Sequence, residues 1–231
     1  MAEREQTAIA VVIPTLNEAA RIGACLDHLA AYDCAEIVVC DGGSSDATVS
    51  IAASHERVRV ITARRGRGSQ LRAGIAATSA PIIVLLHADT LLPPHADHHI
   101  RTTLGDPAVA AGCFRLRFDS KRSSLEVWAW FTRFETAITT FGDQAYFMRR
   151  SALLAAGGIA DWPLLEDVDL RRRLRRVGRF VKLHPCVVTS ARRFERHGVL
   201  RTQLRNAFIL AALGLGMSPQ RLARVYRAAE R

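Results

Sequence analysis

Short apolar runs alternate with helix-like stretches along the first 90 residues of the chain. Four runs rich in valine and isoleucine are too short for globular helices and predict buried strands. The predicted strands are residues 9–13, 36–40, 58–62 and 82–86. The predicted helices between them are residues 18–30, 47–54 and 69–79. This alternation is typical of a parallel sheet with crossover helices, so the sequence predicts an α/β fold.

Beyond residue 90 the pattern predicts further strands and helices. A strand is predicted at 108–118 and a short one at 145–148. A helix is predicted at 125–139, with Trp128 and Phe131 on its apolar side. Two more helices are predicted at 151–156 and 166–177. Because 231 residues with 49% hydrophobic content can bury one sizeable core, we expect one compact body.

Charge divides the chain into two unequal parts. Up to Leu170 there are 16 Lys and Arg against 20 Asp and Glu, a net −4, whereas from Arg171 onward there are 16 against 2, a net +14. Nucleic acid, anionic lipid and a diphosphate substrate all suit such a basic surface, and so does a merely solvated face. The charged opening MAEREQ resembles neither a signal peptide nor a membrane span, so the expected location is the cytoplasm.

Acidic residues follow three of the four predicted strands. The segments PTLNE, DGGSSDAT and HADT contain Glu18, Asp41 and Asp89. Ligands of such sheets bind at the carboxyl ends of the strands, and clustered carboxylates need a cation or hydrogen-bond donors nearby. A metal, a sugar or a base is therefore expected there, although Asp46 in the second segment fits a helix cap equally well. The P-loop motif is absent, and strand one is not followed by G-x-G-x-x-G.

Four motifs in order carry a family resemblance. VVIPTLNE, VVCDGGSSDAT, LLHADT and LLEDVDLRRRLRR span roughly residues 8 to 178 and together resemble the family 2 inverting glycosyltransferases with the GT-A fold. LLHADT, FGDQAYFMRR and PLLEDVDL further resemble the subgroup that accompanies radical-SAM proteins and is named for arsenosugar biosynthesis. The resemblance implies a mainly parallel Rossmann-like sheet in a catalytic domain at 1–190, followed by a basic, partly apolar helical tail at 191–231.

The resemblance also assigns residues to a nucleotide-sugar site. Pro14, Thr15 and Glu18 match positions lining the nucleotide pocket, and Asp41 matches the aspartate that contacts the base. Asp89 matches the last aspartate of the family's D-x-D, which holds Mn²⁺ or Mg²⁺ against the donor diphosphate. A hard cation on a carboxylate neutralises the charge that builds on the leaving diphosphate.

Three basic side chains are candidates to touch the donor. Arg67 and Arg72 follow strand three on the expected side of the sheet, although family members often carry Asn at the position of Arg72. His87 departs from the family's D-x-D. As a direct ligand, an imidazole favours Mn²⁺ and softer ions over Mg²⁺. It could instead donate a hydrogen bond to ribose or phosphate, or simply pack.

Glu166 and Asp167 match the family's E-D pair. An inverting transfer needs a base that takes the proton of the acceptor hydroxyl, and Asp167 is the candidate, with Glu166 orienting it or touching the acceptor. Both also suit a helix N-terminus, where carboxylates compensate the helix dipole. Asp143 and Gln144 precede a short strand and are candidates to border the acceptor pocket.

Partners beyond donor and acceptor depend on the tail. An apolar stretch at 207–217 flanked by arginines is too short to span a bilayer, but it suits a membrane surface, a second subunit in a homodimer, or packing on the domain. Nucleic acid is not expected as a partner. The function predicted is metal-dependent, inverting glycosyl transfer. A nucleotidyltransferase of similar fold and a non-catalytic membrane- or nucleic-acid-binding protein remain as alternatives.

Overall fold

A mixed sheet forms the centre of the molecule. A computed structural model describes residues 7–228, with side chains as far as Tyr226, so predictions for residues 1–6 and 229–231 lie outside the described residues. The strands are β1 (Ile9–Thr15), β2 (Glu36–Asp41), β3 (Val58–Thr62), β4 (Ile82–Leu85), β5 (Thr90–Leu91), β6 (Val109–Phe118), β7 (Tyr146–Arg149) and β8 (Arg179–Thr189). Their order across the sheet is β3-β2-β1-β4-β7-β6-β8-β5.

Helices flank the sheet and extend the C-terminal region. Those of the first half are α1 (Ala19–Leu29), α2 (Thr48–Ala53), α3 (Arg67–Ala76) and α4 (Ala96–Gly105). Those of the second half are α5 (Ser123–Phe131), α6 (Arg150–Ala155), α7 (Glu166–Val177), α8 (Arg192–His197), α9 (Val199–Gly214) and α10 (Pro219–Ala228). A 3₁₀ turn, Gly142–Gln144, precedes β7.

The sheet contains a point where the direction of chain progression reverses. β1 pairs in parallel with both β2 and β4, so the chain moves outward from β1 first on one side and then on the other. β7 is antiparallel to β4 and to β6, whereas β6 and β8 are parallel. Ligands of doubly wound sheets bind in the crevice at the carboxyl ends of the strands beside such a reversal. Here that crevice lies beyond the ends of β1 and β4.

Alternate residues of the central strands lie in two hydrophobic clusters, one on each face of the sheet. Val11 and Val84 lie in a cluster with helices α1, α2 and α4 on one face. Val12 and Ile83 lie in a second cluster with α3, α6 and α7 on the other face. Because parallel strands covered on both faces have no solvated side, these strands read as continuous apolar runs and not as alternating ones.

The predicted strands and helices of the first 90 residues are confirmed, with ends shifted by a few residues. The helix predicted at 125–139 is wrong beyond Phe131. The Thr132 hydroxyl donates to Ala129 O at 2.6 Å and accepts the Leu116 amide at 3.1 Å, which ties the chain to β6 and turns it away from the helix axis. Phe131, predicted on the apolar side, is exposed, whereas Trp128 packs partly against the core.

The C-terminal helices pack against the segment that leads into α7. Ile209 and Ala212 of α9 and Leu222 of α10 form a small apolar cluster with Leu164 and Leu165. Leu165 has φ +63°, a left-handed conformation immediately before Glu166. The helical tail therefore supports the residue that sets the start of α7.

Candidate active site

The loop after β2 builds a closed hydrogen-bond arrangement around Asp41. Its carboxylate accepts the Gly43 and Ser44 amides at 2.8 Å each and the Ser44 hydroxyl at 2.5 Å, and the Thr15 hydroxyl lies 3.5 Å away. Burial by itself raises the pKa of Asp41, but these hydrogen bonds outweigh it and the pKa is lowered. Asp41 is therefore a fixed anion beside the end of β1.

Gln70 of α3 joins the ends of β1 and β2. Its amide nitrogen donates to Thr15 O at 2.7 Å and to Cys40 O at 2.8 Å, and the side chain is 4% exposed. Asn17 supports the same region. Its backbone amide donates to Ser44 Oγ, and its side-chain oxygen accepts the Ser45 backbone amide, each at 2.8 Å. These hydrogen bonds hold the ends of β1 and β2 and the loops that follow them together.

Asp46 connects the starts of two helices. It accepts the Thr48 amide at 3.0 Å, as the cap interpretation predicts, and its other oxygen accepts the Ala19 amide at 3.1 Å. Both helices α1 and α2 therefore begin on one carboxylate.

Arg192 lies close to the carboxylates of both Glu18 and Asp89. Arg192, at the start of α8, donates to both carboxylate oxygens of Glu18 at 3.0 and 3.2 Å and lies 3.9 Å from Asp89 Oδ2. Hydrogen bonding to Glu18 raises the pKa of Arg192. Asp89, between β4 and β5, remains partly exposed.

His87 contributes to a narrow cleft shared by several parts of the chain. Residues from β1, α3, β4, the 3₁₀ turn and α7 line it, among them Pro14, Arg67, His87, Gly142, Glu166 and Asp167. Burial lowers the pKa of His87 well below its usual range, and the charges of Arg67 and Arg193 act in the same direction. The imidazole is therefore neutral at pH 7, with a lone pair available.

Arg67 holds the two acidic residues at the start of α7. Its Nε donates to Glu166 Oε1, and its Nη2 lies 3.4 Å from Asp167 Oδ2. Burial lowers the pKa of Arg67, but the two carboxylates outweigh this effect and raise it. Glu166 is 1% exposed, burial raises its pKa, and its Oε2 has no hydrogen-bond partner.

Asp167 is oriented by two backbone amides. Its Oδ2 accepts the Gly142 amide at 2.6 Å, and its Oδ1 accepts the Val168 amide at 2.9 Å. The contact with Gly142 fixes the 3₁₀ turn against α7. A β-carbon at Gly142 would come 3.1 Å from Asp167 Oδ2 and 3.2 Å from Arg67 Nη2, so a larger residue would require these side chains to shift by a few tenths of an ångström.

The two predicted acceptor residues have different surroundings. Burial raises the pKa of Asp143 to about 6, the negative charge of Asp167 adds to this effect, and Asp143 Oδ1 is buried without a partner. Gln144 is 1% exposed, donates to Thr139 O at 2.7 Å and accepts from the Cys113 thiol at 3.4 Å. One carboxylate oxygen of Asp143 can therefore accept a further hydrogen bond, whereas the side-chain amide of Gln144 is already hydrogen-bonded within the protein.

Arg72 lies apart from the acidic groups of the crevice. It is half exposed, and its Nη1 lies 3.9 Å from Asp161 Oδ2. Arg64 and Ser69 also contact Asp161. Arg67 and Arg72, paired by the sequence prediction, therefore contact different carboxylates.

Arg192 and Gln70 are site residues that the sequence did not single out. Arg192 is one of 16 basic residues after Leu170, and nothing in its spacing distinguishes it. Gln70 follows a glycine pair and carries no charge. Only the fold brings each of them to the strand ends.

The protein's own side chains do not form a complete metal cage. Within residues 7–228, no three or more His, Cys, Asp or Glu residues group together in a way that could hold a metal ion. Mg²⁺ sites in phosphate chemistry commonly use one or two protein ligands and complete their shell with substrate phosphates and water. A partly exposed Asp89 carboxylate two residues from a neutral His87 fits such an arrangement. No helix in the described range has the length and apolar composition needed to cross a bilayer.

Comparison with known proteins identifies the family. The profile of glycosyl transferase family 2 matches residues 10–154, more than half of the chain. The chain belongs to glycosyl transferase family 2, as the motifs predict.

Curated relatives match over shorter segments. An uncharacterized glycosyltransferase of Mycobacterium tuberculosis is 38% identical over 82 residues, which cover 36% of this chain and 37% of the relative. A PGL/p-HBAD biosynthesis glycosyltransferase of the same species is 52% identical over 44 residues, 18% of this chain and 17% of the relative. The matched segments thus span well under two thirds of these relatives.

Solved structures resemble the chain over nearly its whole length. The mannosyltransferase PcManGT of Pyrobaculum calidifontis, solved with GDP-Man and Mn²⁺, has a TM-score of 0.69 at 23% identity, covering 96% of this chain and 68% of its own. Glucosyl-3-phosphoglycerate synthase of Mycobacterium tuberculosis, solved with Mn²⁺, UDP and phosphoglyceric acid, has a TM-score of 0.63 at 21% identity, covering 94% and 81%. The fold of this chain is the predicted GT-A type.

Proposed function

We propose that the protein is a metal-dependent, inverting glycosyltransferase that moves a sugar from a nucleotide-diphospho-sugar to an acceptor hydroxyl or phosphate. The observation that carries the proposal is that residues from three of the four family motifs line one narrow cleft. Pro14 and His87 line it from the ends of β1 and β4, and Asp167 lines it from the start of α7. Membership of family 2 supports the same reaction.

The donor would lie along the carboxyl ends of β1, β2 and β4. Asp41, an ion held by four donors, would accept a hydrogen bond from the nucleotide base, and Thr15 and Pro14 would line the pocket beside it. Glu18 and Arg192 would border the diphosphate. Arg67 is already engaged by Glu166 and Asp167, so its contribution to the donor site would be to neutralise these carboxylates next to an anionic substrate.

Asp89, with His87 as a second ligand, would hold Mn²⁺ or Mg²⁺. The ion would neutralise charge that develops on the departing diphosphate. Two of the solved structures with the same fold are complexes with Mn²⁺ and a nucleotide or nucleotide-sugar, which supports the use of a divalent ion here.

Asp167 would act as the general base. The acceptor oxygen attacks the anomeric carbon from the face opposite the diphosphate, its proton passes to Asp167, and the nucleoside diphosphate leaves with the bonding electrons. Two backbone amides hold Asp167 in one orientation, and Arg67 is a cation suited to an ionised carboxylate. Asp143, with its unpartnered oxygen, would hydrogen-bond the acceptor, while Gln144 would keep the loop in place.

A thermal-shift screen of UDP-, GDP- and dTDP-sugars, each with and without Mn²⁺ or Mg²⁺, tests the proposal. A donor at 100 times its dissociation constant stabilises a protein by about 2.7 kcal/mol, enough for a clear shift of Tm. We expect one nucleotide class to stabilise the protein only with the ion, and the Asp89→Asn variant to lose this response. Asp27→Asn, which changes an exposed carboxylate paired with His55, is the matched control and should respond like the wild type.

Product analysis then identifies the reaction. Transfer or slow hydrolysis of the donor should release a nucleoside diphosphate, whereas formation of pyrophosphate from a nucleoside triphosphate would indicate a nucleotidyltransferase. The absence of any stabilising nucleotide-sugar with either ion would refute the proposed function. The narrower resemblance to the radical-SAM-associated subgroup rests on the sequence motifs alone and bears on the acceptor, which the donor screen does not address.

A further inference from the structure

Helix α9 presents an apolar stripe to solvent. Leu200, Leu204, Phe208 and Leu215 are 73%, 62%, 56% and 90% exposed. The spacing of four residues places Leu200, Leu204 and Phe208 on one face of α9, Ala211 lies on the same face, and Leu215 is the capping residue directly after the helix. We call this set the α9 stripe. Scattered exposed leucines are ordinary, but large side chains in line form a contiguous surface of the kind that binds a partner.

The opposite face of the same helix is fully used. Ile209 and Ala212 are buried against Leu222 and the Leu164 and Leu165 segment. The helix is therefore already docked on the protein, and no rotation buries the α9 stripe without exposing this cluster. Burial of the α9 stripe therefore requires a partner outside the described part of the chain.

The C-terminal region that carries the α9 stripe is strongly basic. Residues 190–228 contain eight arginines and one acidic residue, Glu195. Among the arginines Arg192 pairs with Glu18, whereas several others are exposed to solvent. The exposed arginines are Arg193, Arg196, Arg201, Arg221 and Arg224. An apolar stripe in an arginine-rich region suits an anionic membrane surface, since leucine and phenylalanine enter the acyl boundary while guanidinium groups meet the phosphates.

We infer that the α9 stripe docks the protein on an anionic lipid bilayer, with α9 lying in the plane of the interface. A second copy of the chain suits the surface less well. A two-fold interface puts the same patch of each subunit against the other, which would bring two arginine-rich surfaces together and cost electrostatic energy. Nucleic acid suits the arginines but offers no apolar environment for the four large side chains.

Vesicle co-sedimentation tests the inference with the intact chain. Wild-type protein is expected to bind vesicles of phosphatidylcholine with 30 mol% phosphatidylglycerol and to bind pure phosphatidylcholine weakly, with binding reduced by salt. The double variant Leu204→Gln, Phe208→Gln should have a partition coefficient about a hundredfold lower, because two apolar side chains that would enter the bilayer are replaced by polar ones. Arg201→Gln should reduce it about fivefold on anionic vesicles only.

Leu154→Gln is the matched control, because Leu154 is an equally exposed leucine on α6, away from the stripe. It should bind vesicles like the wild type. Equal binding of the Leu204→Gln, Phe208→Gln protein and the wild type would overturn the inference, as would absence of binding to anionic vesicles. A concentration-dependent dimer that the same double variant abolishes, measured by light scattering, would assign the stripe to a second copy and overturn it too. Vesicle binding needs neither donor nor acceptor, so its failure is distinct from a failure of the proposed function.

Discussion

Arg192 Nη2 lies 3.0 Å from Glu18 Oε1 and 3.9 Å from Asp89 Oδ2, so one guanidinium spans the carboxylate after β1 and the candidate metal ligand after β4. Arg192 reaches them from the C-terminal region, 103 residues beyond Asp89 in the chain. The positive charge offsets the repulsion between the two acidic groups when no cation or substrate lies between them.

The first prediction is that Arg192→Gln binds Mn²⁺ more tightly than the wild type when no donor is present. Removing a partly exposed positive charge beside Asp89 favours a competing cation by roughly 1 kcal/mol, or about fivefold in the dissociation constant. Titration of Mn²⁺ followed by electron paramagnetic resonance measures it. Arg21→Gln, which breaks a similarly exposed pair with Asp119, should leave Mn²⁺ affinity unchanged. Equal affinities of wild type and Arg192→Gln would show that the arginine does not compete with the ion.

Asp167→Asn should lower kcat by about 10²- to 10⁴-fold, the usual contribution of a positioned base. The amide oxygen of asparagine can still accept the Gly142 amide, whereas its NH2 group cannot accept the Val168 amide, so we expect a small loss of Tm and a donor-induced thermal shift close to that of the wild type. Steady-state kinetics on both proteins give the ratio. Glu126→Gln, a change at an exposed residue of α5, controls for the loss of one negative charge. Retained activity in Asp167→Asn would exclude this residue as the base.

His87→Asp should change the preference between Mn²⁺ and Mg²⁺. An imidazole ligand suits Mn²⁺ better than Mg²⁺, whereas a second carboxylate suits both ions. We therefore expect the ratio of Mg²⁺- to Mn²⁺-supported activity to rise, and direct Mg²⁺ binding, followed by calorimetry, to strengthen. An unchanged ratio together with unchanged binding would mean that His87 does not select the ion.

Asp143→Asn should stabilise the protein at neutral pH. The pKa of Asp143 is raised to about 6 by burial and by Asp167, so the folded protein holds this proton more tightly than the unfolded chain. Its contribution to stability is full below the unfolded pKa of about 3.9 and is lost as pH rises through 6. The variant should therefore exceed the wild type by about 2 kcal/mol at pH 7.5 and match it near pH 4.

Urea unfolding from pH 4 to 8 measures this difference. Asp161→Asn provides the opposite case, since hydrogen bonding to Ser69 and the charge of Arg64 lower the pKa of Asp161. That carboxylate stabilises the fold above its unfolded pKa, so its variant should be less stable than the wild type at pH 7.5. A constant stability difference for Asp143→Asn across the whole pH range would contradict the assignment of a proton to this group.

Gln70→Ala should cost about 1–3 kcal/mol, because the carbonyl groups of Thr15 and Cys40 each lose the hydrogen bond from Gln70, although Thr15 O keeps the Gly42 amide at 2.9 Å. Urea unfolding at pH 7 measures the loss. Gln203→Ala, which changes a partly exposed glutamine on α9, is the matched comparison and should cost less. Equal costs would mean that water replaces the missing donor at the strand ends.

The donor side of the molecule follows from sequence because its signals are local. Each of β1, β2 and β4 is an apolar run that ends at a polar motif, and parallel pairing brings such ends together. The match of residues 166–177 to α7 has the same origin, since Glu166 and Asp167 open a helix with clear apolar spacing.

Other features depend on contacts between distant parts of the chain. β8 contains Pro185 and two charged residues and does not read as a strand, yet it pairs with β6 along most of its length. Helix 125–139 ends early because Thr132 bonds to β6, a contact that helical propensity does not include. Arg67 follows the same rule: its position after β3 is predictable, but its pairing with Glu166, 99 residues away, depends on how two helix starts meet.

Gly68 sits at that meeting point. A β-carbon there would come 2.4 Å from Ala160 O and 2.8 Å from Trp162 O, so the backbone of α3 is in contact with the backbone that leads to Glu166. The segment that carries Arg67 and the segment that carries the candidate base thus share a seam with no side chain between them. Any residue larger than glycine at position 68 would push the two segments apart, so the distance between Arg67 and the candidate base depends on the absence of one side chain.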